Sequence, residues 1–438
     1  MKVSALKYKV LSWVSGLSRV ILLLVPFHAF LTVWLASWLG HYTALRLWSE
    51  LLLMLCVIGV LYLLATDHKI RSHTLTRRLV WLILAYITVT VVWGLLALNQ
   101  HDVTGKALGY GLIINLRFLV FFLVTWAVAL RLARFRTRWE RLVLWPAAIV
   151  VVVGLLQIFI LPNDFLRHFG YGPSTILPVE TINHNPNYVR FFSTLRGANP
   201  LGAYLVVPIS LLSVLLVRKG RNWRHALFLA ATLVVLFFTF SRSAWVGAGL
   251  SVITILFLSH LAPKTQRVAG ALAVSLVLVL AIIGISQRHN TRFENFVLHT
   301  QSHSSVPTTS DQGHLSALRA GLRDLSHHAM GNGPGTAGPA SVYNDHPARI
   351  SENYFIQIGQ EVGWIGLLMF LLINLGVGYL LFVHRGDPLA LSLFASLIGL
   401  TFINMLSHAW TDDTLAYVWW GLAGIAMVTL PKSDEKTR

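Results

Sequence analysis

The chain has 438 residues, of which 55% are hydrophobic and only 12% charged, and its formal net charge is +18. No soluble interior of that size can hide so much apolar surface, so the composition points to a bilayer as the solvent. The basic residues sit in short clusters between apolar runs and form no large basic domain, which argues against nucleic acid as a partner.

In chain order, the apolar runs and their Pro, Gly and charge punctuation predict twelve spans. Their limits are about 17–37, 43–65, 79–98, 108–130, 142–161, 199–217, 225–241, 243–260, 267–286, 354–383, 389–407 and 414–430. The lengths suit helices rather than the alternating strands of a barrel, giving an all-α integral membrane protein. The first run lacks a small-residue cleavage site and reads as a retained helix. Three units follow: 1–286 with spans one to nine, a large outer loop at 287–353, and 354–438 with the last three spans. The single cysteine, Cys56, lies in an apolar run, so a disulfide framework is excluded. Lys and Arg concentrate in the segments left inside when the N-terminus is inside, so both termini are expected to be cytoplasmic. The outer basic residues are nearly all arginine, the side chain whose planar fork grips phosphate or carboxylate.

Charged residues within spans are few, Arg117 and Glu50 being the clear ones, and they can pair with each other. Arg196, in STLRGANPLGAYL, precedes the sixth span, where Asn199-Pro200 starts a helix on the outer side. Arg242, in FFTFSRSAWVGAGL, falls in the tight outer turn between spans seven and eight, with Ser241 and Ser243 as candidate caps. An arginine aimed at a helix N-terminus at both places suits a phosphate or pyrophosphate, and Arg117 is a third candidate ligand.

Within the large loop, GHLSALRAGLRDLSHH places Leu315, Leu318, Leu322 and Leu325 at helical spacing, which predicts an amphipathic helix. His314 and Arg319 lie on opposite margins of that apolar stripe, and such a helix either rests on the bundle or covers a site. The stretch MGNGPGTAGPAS, 330–341, lacks the lysine of a nucleotide-binding P-loop and follows no strand; it reads as backbone close to a ligand or to a helix start. After it, SENYFIQIGQEVGWIGLLMF opens the tenth span, with Ser351, Glu352 and Asn353 as possible caps. Glu352 in a desolvated pocket would have the raised pKa that a general base needs. The outer histidines show no metal-ligand spacing, so neither a metal nor another cofactor is expected.

The ordered set LRGANPLGAYL, FTFSRSAWVGAG, GHLSALRAGL, GNGPGTAG and SENYFIQIGQEVGWIG, over about 190–370, resembles the bacterial O-antigen ligase and polymerase superfamily. The resemblance implies a metal-independent, inverting glycosyltransferase of the bacterial inner membrane, with its site at the periplasmic face. It would pass a glycan from undecaprenyl pyrophosphate to lipid A–core, with membrane lipids around it. By motif position Arg196 and Arg242 would grip the pyrophosphate, and Arg319, Asn353 and Tyr354 would lie near the substrate. Many ligases of this group carry a His-Asn-x-Tyr-Leu pattern; here Glu352 precedes Asn353, Tyr354 and Phe355, and the histidine is missing. Either His314 or Glu352 is then the expected base, with His314 the more readily tuned near neutral pH. A polymerase, a protein oligosaccharyltransferase and a transporter of lipid-linked sugars are the alternatives. The last predicts more charge inside the spans.

Overall fold

A computed structural model describes residues 5–75, 77–131, 138–182, 185–218, 222–259 and 310–428. Its helices are α1 (Ala5–Leu24), α2 (His28–Leu39), α3 (Tyr42–Leu45), α4 (Trp48–Thr66), α5 (His68–Leu75), α6 (Arg78–Asn99), α7 (Gly105–Ala129) and α8 (Trp139–Phe159). A short antiparallel pair, β1 (Glu180–Ile182) and β2 (Asn185–Arg190), comes next. The remaining helices are α9 (Ala198–Arg218), α10 (Trp223–Phe238), α11 (Arg242–Leu258), α12 (Ser310–His327), α13 (Tyr354–Val383), α14 (Pro388–Asn404) and α15 (Asp413–Ala426). The chain is mostly helical, and seven segments are long and apolar enough to cross a membrane, α1 and α2 counting together. Helices α10, α11 and α14 are apolar but shorter. Eleven of the twelve expected spans thus coincide with helices, and the ninth, 267–286, lies outside the described residues.

Burial divides the helices into a core and a lipid-facing ring. Helices α7 and α9 are mostly buried, whereas α4 and α6 leave most of their surface outside. Side chains such as Trp38, Leu61, Trp145 and Leu375 stay exposed on the periphery, as the hydrocarbon requires of a lipid-facing surface. Inside, α7 packs along α15 through Phe118, Phe121, Phe122, Tyr417, Trp419 and Trp420. Gly421 and Gly424 allow that approach, since a Cβ at either would meet Phe121 or Thr125. Gly247 of α11 and Gly399 of α14 likewise bring two backbones together. Lipid offers apolar side chains no reason to leave it, so close packing across small residues holds such helices together.

Two departures from the sequence reading matter for the site. A short hairpin that the sequence reading did not expect lies within an otherwise all-α chain: Glu180 stands opposite Arg190 in its register, and its carboxylate accepts both Arg190 Nη1 and the Ala198 N–H that opens α9. The expected tenth span is also not one continuous helix. It breaks at Gly363, whose φ of 71° only glycine adopts freely. The break frees carbonyls that the glycine-rich segment satisfies: Asn332 N–H donates to Gln360 O and Gly333 N–H to Glu361 O, both at 2.8 Å. Irregular backbone at this depth is tolerated where protein buries it and supplies the missing hydrogen bonds.

Candidate active site

At one end of the bundle, the loop before α9, the turn before α11, helix α12 and the segment between α14 and α15 enclose a cleft of about 700 Å³. Its polar wall carries Arg190, Arg196, Arg242, Glu352, His408 and Asp412. Its apolar wall carries Ala203, Val246, Phe402, Met405, Leu406, Leu315 and Leu318. The arrangement suits an amphiphile with an anionic head and an apolar tail.

Each arginine is placed by local geometry. The segment before Arg196 is pinned at Ser193, a left-handed residue with φ 53°, whose N–H donates to Gln157 Oε1 at 2.8 Å and whose hydroxyl donates to Val150 O at 2.7 Å. Thr194 adds a hydrogen bond to Pro26 O. Arg196 then reaches Asp412, Nε to Oδ2 at 2.8 Å, while Asp412 Oδ1 caps α15 through the Leu415 N–H. Among the described residues the two Nη groups of Arg196 make no hydrogen bond. Arg242 is the first residue of α11; Ser241 occupies the cap position without a side-chain cap bond. The preceding Phe240 is left-handed at φ 52°. Arg190 is a clamp: Nη1 bonds Glu180, Nη2 bonds Asn199 Oδ1, and Nε bonds Thr239 O. Burial lowers its pKa and the Arg242 charge adds to that, against Glu180. Arg190 and Arg242 line the same cleft as Arg196, so three guanidinium groups stand on its polar wall.

The other residues read from the sequence fall in different places. Glu352 lines the cleft in a left-handed conformation, φ 53°, next to the cap of α13. That cap is Asn353, whose Oδ1 accepts the Ile356 N–H and whose Nδ2 donates to Met405 O. Tyr354 is fully buried among Phe370 and Asn115 and lines no part of the cleft. Arg117 is also buried, pairing with Glu50 at 2.8 Å, with Asp413, and with Thr411 O at 2.7 Å. It supports the acidic segment from behind and does not face the cleft. Arg319 is exposed on α12 and is not among the cleft residues. The backbone of His314 belongs to α12, one residue before cleft-lining Leu315, but its side chain lies outside the described residues.

Helix α12 forms as the leucine spacing predicts, and it lines the cleft with Leu315 and Leu318 of the apolar stripe rather than with Arg319. Leu325 is buried over Gly359, and Gln360 Nε2 donates to Asp324 Oδ2 at 2.8 Å, which docks the helix on α13. The glycine-rich loop packs on helices at its start, where a Cβ at Gly335 would collide with the Ala107 carbonyl and one at Gly333 with Ala97, and reaches the cleft near its end through Pro339.

Four residues escaped the sequence reading. Glu361 is a further charged residue well inside an expected span, and its carboxylate accepts Asn115 Nδ2 at 2.5 Å and the Gly335 N–H at 2.8 Å. It sits within the quoted motif, so its position was visible but its role as the anchor of the glycine loop was not. Asp412 and Asp413 were visible as two adjacent acids ahead of an apolar run, a helix-start signal that also marks the cleft. His408 carried no signal of its own.

Residues 225–371 match the family model described as O-antigen ligase. The chain carries an O-antigen ligase/polymerase superfamily domain. That domain contains Arg242, α12, the glycine-rich loop and Glu352, whereas Arg196 and Asp412 reach the cleft from outside it. Members of the O-antigen ligase/polymerase superfamily are glycosyltransferase-like proteins that handle lipid-linked glycans, in keeping with a multi-pass membrane chain. No curated protein matches the chain.

Proposed function

We propose that the chain is an O-antigen ligase, moving a glycan from undecaprenyl pyrophosphate to lipid A–core at the periplasmic face of the inner membrane, without a metal and with inversion. The observation that carries this reading is the pairing, in one cleft, of Arg196 and Arg242 with an apolar wall. The pyrophosphate would sit on the arginines and the polyprenyl chain would run along Val246, Phe402 and Leu406. An acceptor hydroxyl oxygen bonds to the anomeric carbon as the carbon–oxygen bond to pyrophosphate breaks. The bonding pair leaves with undecaprenyl pyrophosphate, and the hydroxyl proton passes to a base. Preorganised guanidinium groups stabilise the charge that develops on the leaving group. Glu352 is the base this cleft supports best, since it lines the wall shared with Arg242; His314 on α12 is the other candidate. The orientation, with basic clusters and both termini inside, supports the periplasmic placement.

A polymerase would share the donor site and differ in its acceptor. Glu352 at the place of the histidine of many ligases is the observation that keeps this second reading. Transporter chemistry gains little support, because the charged groups inside the spans are held by partners, Arg117 by Glu50 and Asp413, and Glu361 by Asn115 and the Gly335 N–H. The test is reconstitution in liposomes with lipid-linked glycan, lipid A–core and a chelator. Glycan joined to core establishes the ligase, glycan lengthened on its carrier establishes the polymerase, and no product from folded protein refutes both.

A further inference from the structure

Across the Arg196–Asp412 pair from the cleft lies a second, smaller cavity of about 250 Å³. Thr32, Tyr42, Arg46 and Asp413 line it, together with the same Arg196 and Asp412. Its charges balance locally. Asp413 is met by His28 Nδ1 at 3.2 Å and by Arg117, and His28 Nε2 lies 3.0 Å from the Arg46 carbonyl oxygen. The Arg46 guanidinium is held at the rim between two rings, 5.8 Å from the centroid of Tyr42 and 5.9 Å from that of Tyr110.

Among the described residues that line the cavity, Thr32 carries the unsatisfied buried group. It is 2% exposed, it is one of the lining residues, and its buried Oγ1 has no hydrogen-bond partner among the described residues. A buried hydroxyl without a partner loses its hydration and gains nothing in return, so such a group marks a place where something else binds. The charge mixture restricts what that is. A polyanion would meet two carboxylates and a metal cation would meet two guanidinium groups. A neutral polyol finds donors and acceptors on every side.

We propose that this cavity is a pyranose subsite for the sugar joined directly to the pyrophosphate of the donor lipid, read through its hydroxyls by Thr32, Tyr42 and Asp413. The proposal rests on the function proposed above. Its geometric basis is that Arg196 borders both cavities. The anomeric carbon is one oxygen away from the phosphate, so a phosphate on Arg196 leaves its sugar within reach of the polar side. The lipid takes the apolar side.

The experiment measures binding to the full-length protein in nanodiscs, with three ligands: undecaprenyl pyrophosphate, the same lipid bearing one hexose, and lipid A–core. Thr32→Val keeps shape and removes the hydroxyl; Tyr42→Phe serves as a second variant should Thr32→Val not fold. The hexose-bearing lipid is expected to bind the wild type more tightly than the bare lipid. Loss of one neutral hydrogen bond should weaken it about three- to tenfold in Thr32→Val, with the bare lipid unchanged. A similar weakening confined to lipid A–core would keep the pyranose subsite and assign it to the acceptor. Unchanged binding of all three ligands in both variants, or equal weakening of bare and hexose-bearing lipid, overturns the subsite and leaves a water-filled cavity. Failure of the wild type to bind bare undecaprenyl pyrophosphate overturns the donor reading itself, so the two failures are distinguishable.

Discussion

Replacing Asp412 by asparagine removes one charge from the cleft while keeping the side-chain shape and, through Oδ1, the cap on α15. What changes is the contact with Arg196, where an amide NH₂ would now face the Nε donor that a carboxylate accepted at 2.8 Å. Charge-assisted hydrogen bonds contribute about 1.5–3 kcal/mol. Arg196 is 41% exposed on its side chain, so solvent screens the pair and about 1–2 kcal/mol is the fitting range. If Asp412 serves to aim Arg196 at the pyrophosphate, that loss appears in the transition state and kcat falls about five- to thirtyfold. The melting temperature should move by only a few degrees, because the cap survives. Initial rates of glycan transfer in liposomes, at saturating and limiting donor, separate kcat from KM. A double-mutant cycle with Arg196→Lys should show a coupling of about 1–2 kcal/mol, since neither side chain can do its work without the other. Additive losses, or a kcat within about twofold of wild type in Asp412→Asn, would refute the claim that this carboxylate positions the arginine.

Arg196→Lys and Arg242→Lys should each lose most transfer activity, because lysine keeps the charge but not the planar fork; near-normal rates in both would remove the pyrophosphate role. Gly335→Ala meets two obstacles, a φ of 91° and the Ala107 carbonyl, and should destabilise the protein by about 2–4 kcal/mol in a thermal melt in detergent; an unchanged melt would show that the glycine loop does not brace α7. At the other end of the bundle, burial raises the Asp67 carboxyl, but hydrogen bonds from Arg131 and from the Ile70 and Lys69 N–H groups outweigh it and hold the pKa below the ordinary value. A depressed folded pKa means stability present above the unfolded pKa of about 3.9 and lost as pH falls through the folded value. Asp67→Asn should therefore melt lower than wild type at pH 7, with the gap closing on acidification; a constant gap between pH 7 and pH 3 would count against the pair.

Much of this architecture is legible in the residues because the bilayer imposes its demand locally. Long apolar runs must be helical to satisfy their own backbone, so α4, α6, α7, α8 and α9 begin and end close to their predicted limits. The leucine spacing of α12 is equally local, as are the arginines set beside helix starts at 196 and 242. The break at Gly363 is not local. Nothing in a glycine within an apolar run distinguishes a packing site from an interruption, and only the docking of residues 330–335 supplies the hydrogen bonds that make the interruption stable.

The same division runs through the site. Sequence by itself determined that the chain is a membrane protein, where most of its helices lie and which arginines stand beside helix starts. Tertiary structure alone decided the partners: Arg117 turned inward to Glu50 and Asp413, Arg196 met Asp412 from the far end of the chain, and Tyr354 went into the core. The physical reason is that periodicity and propensity report how each segment meets its solvent. Ion pairs and cavities form between segments hundreds of residues apart, where the outcome depends on which helices touch.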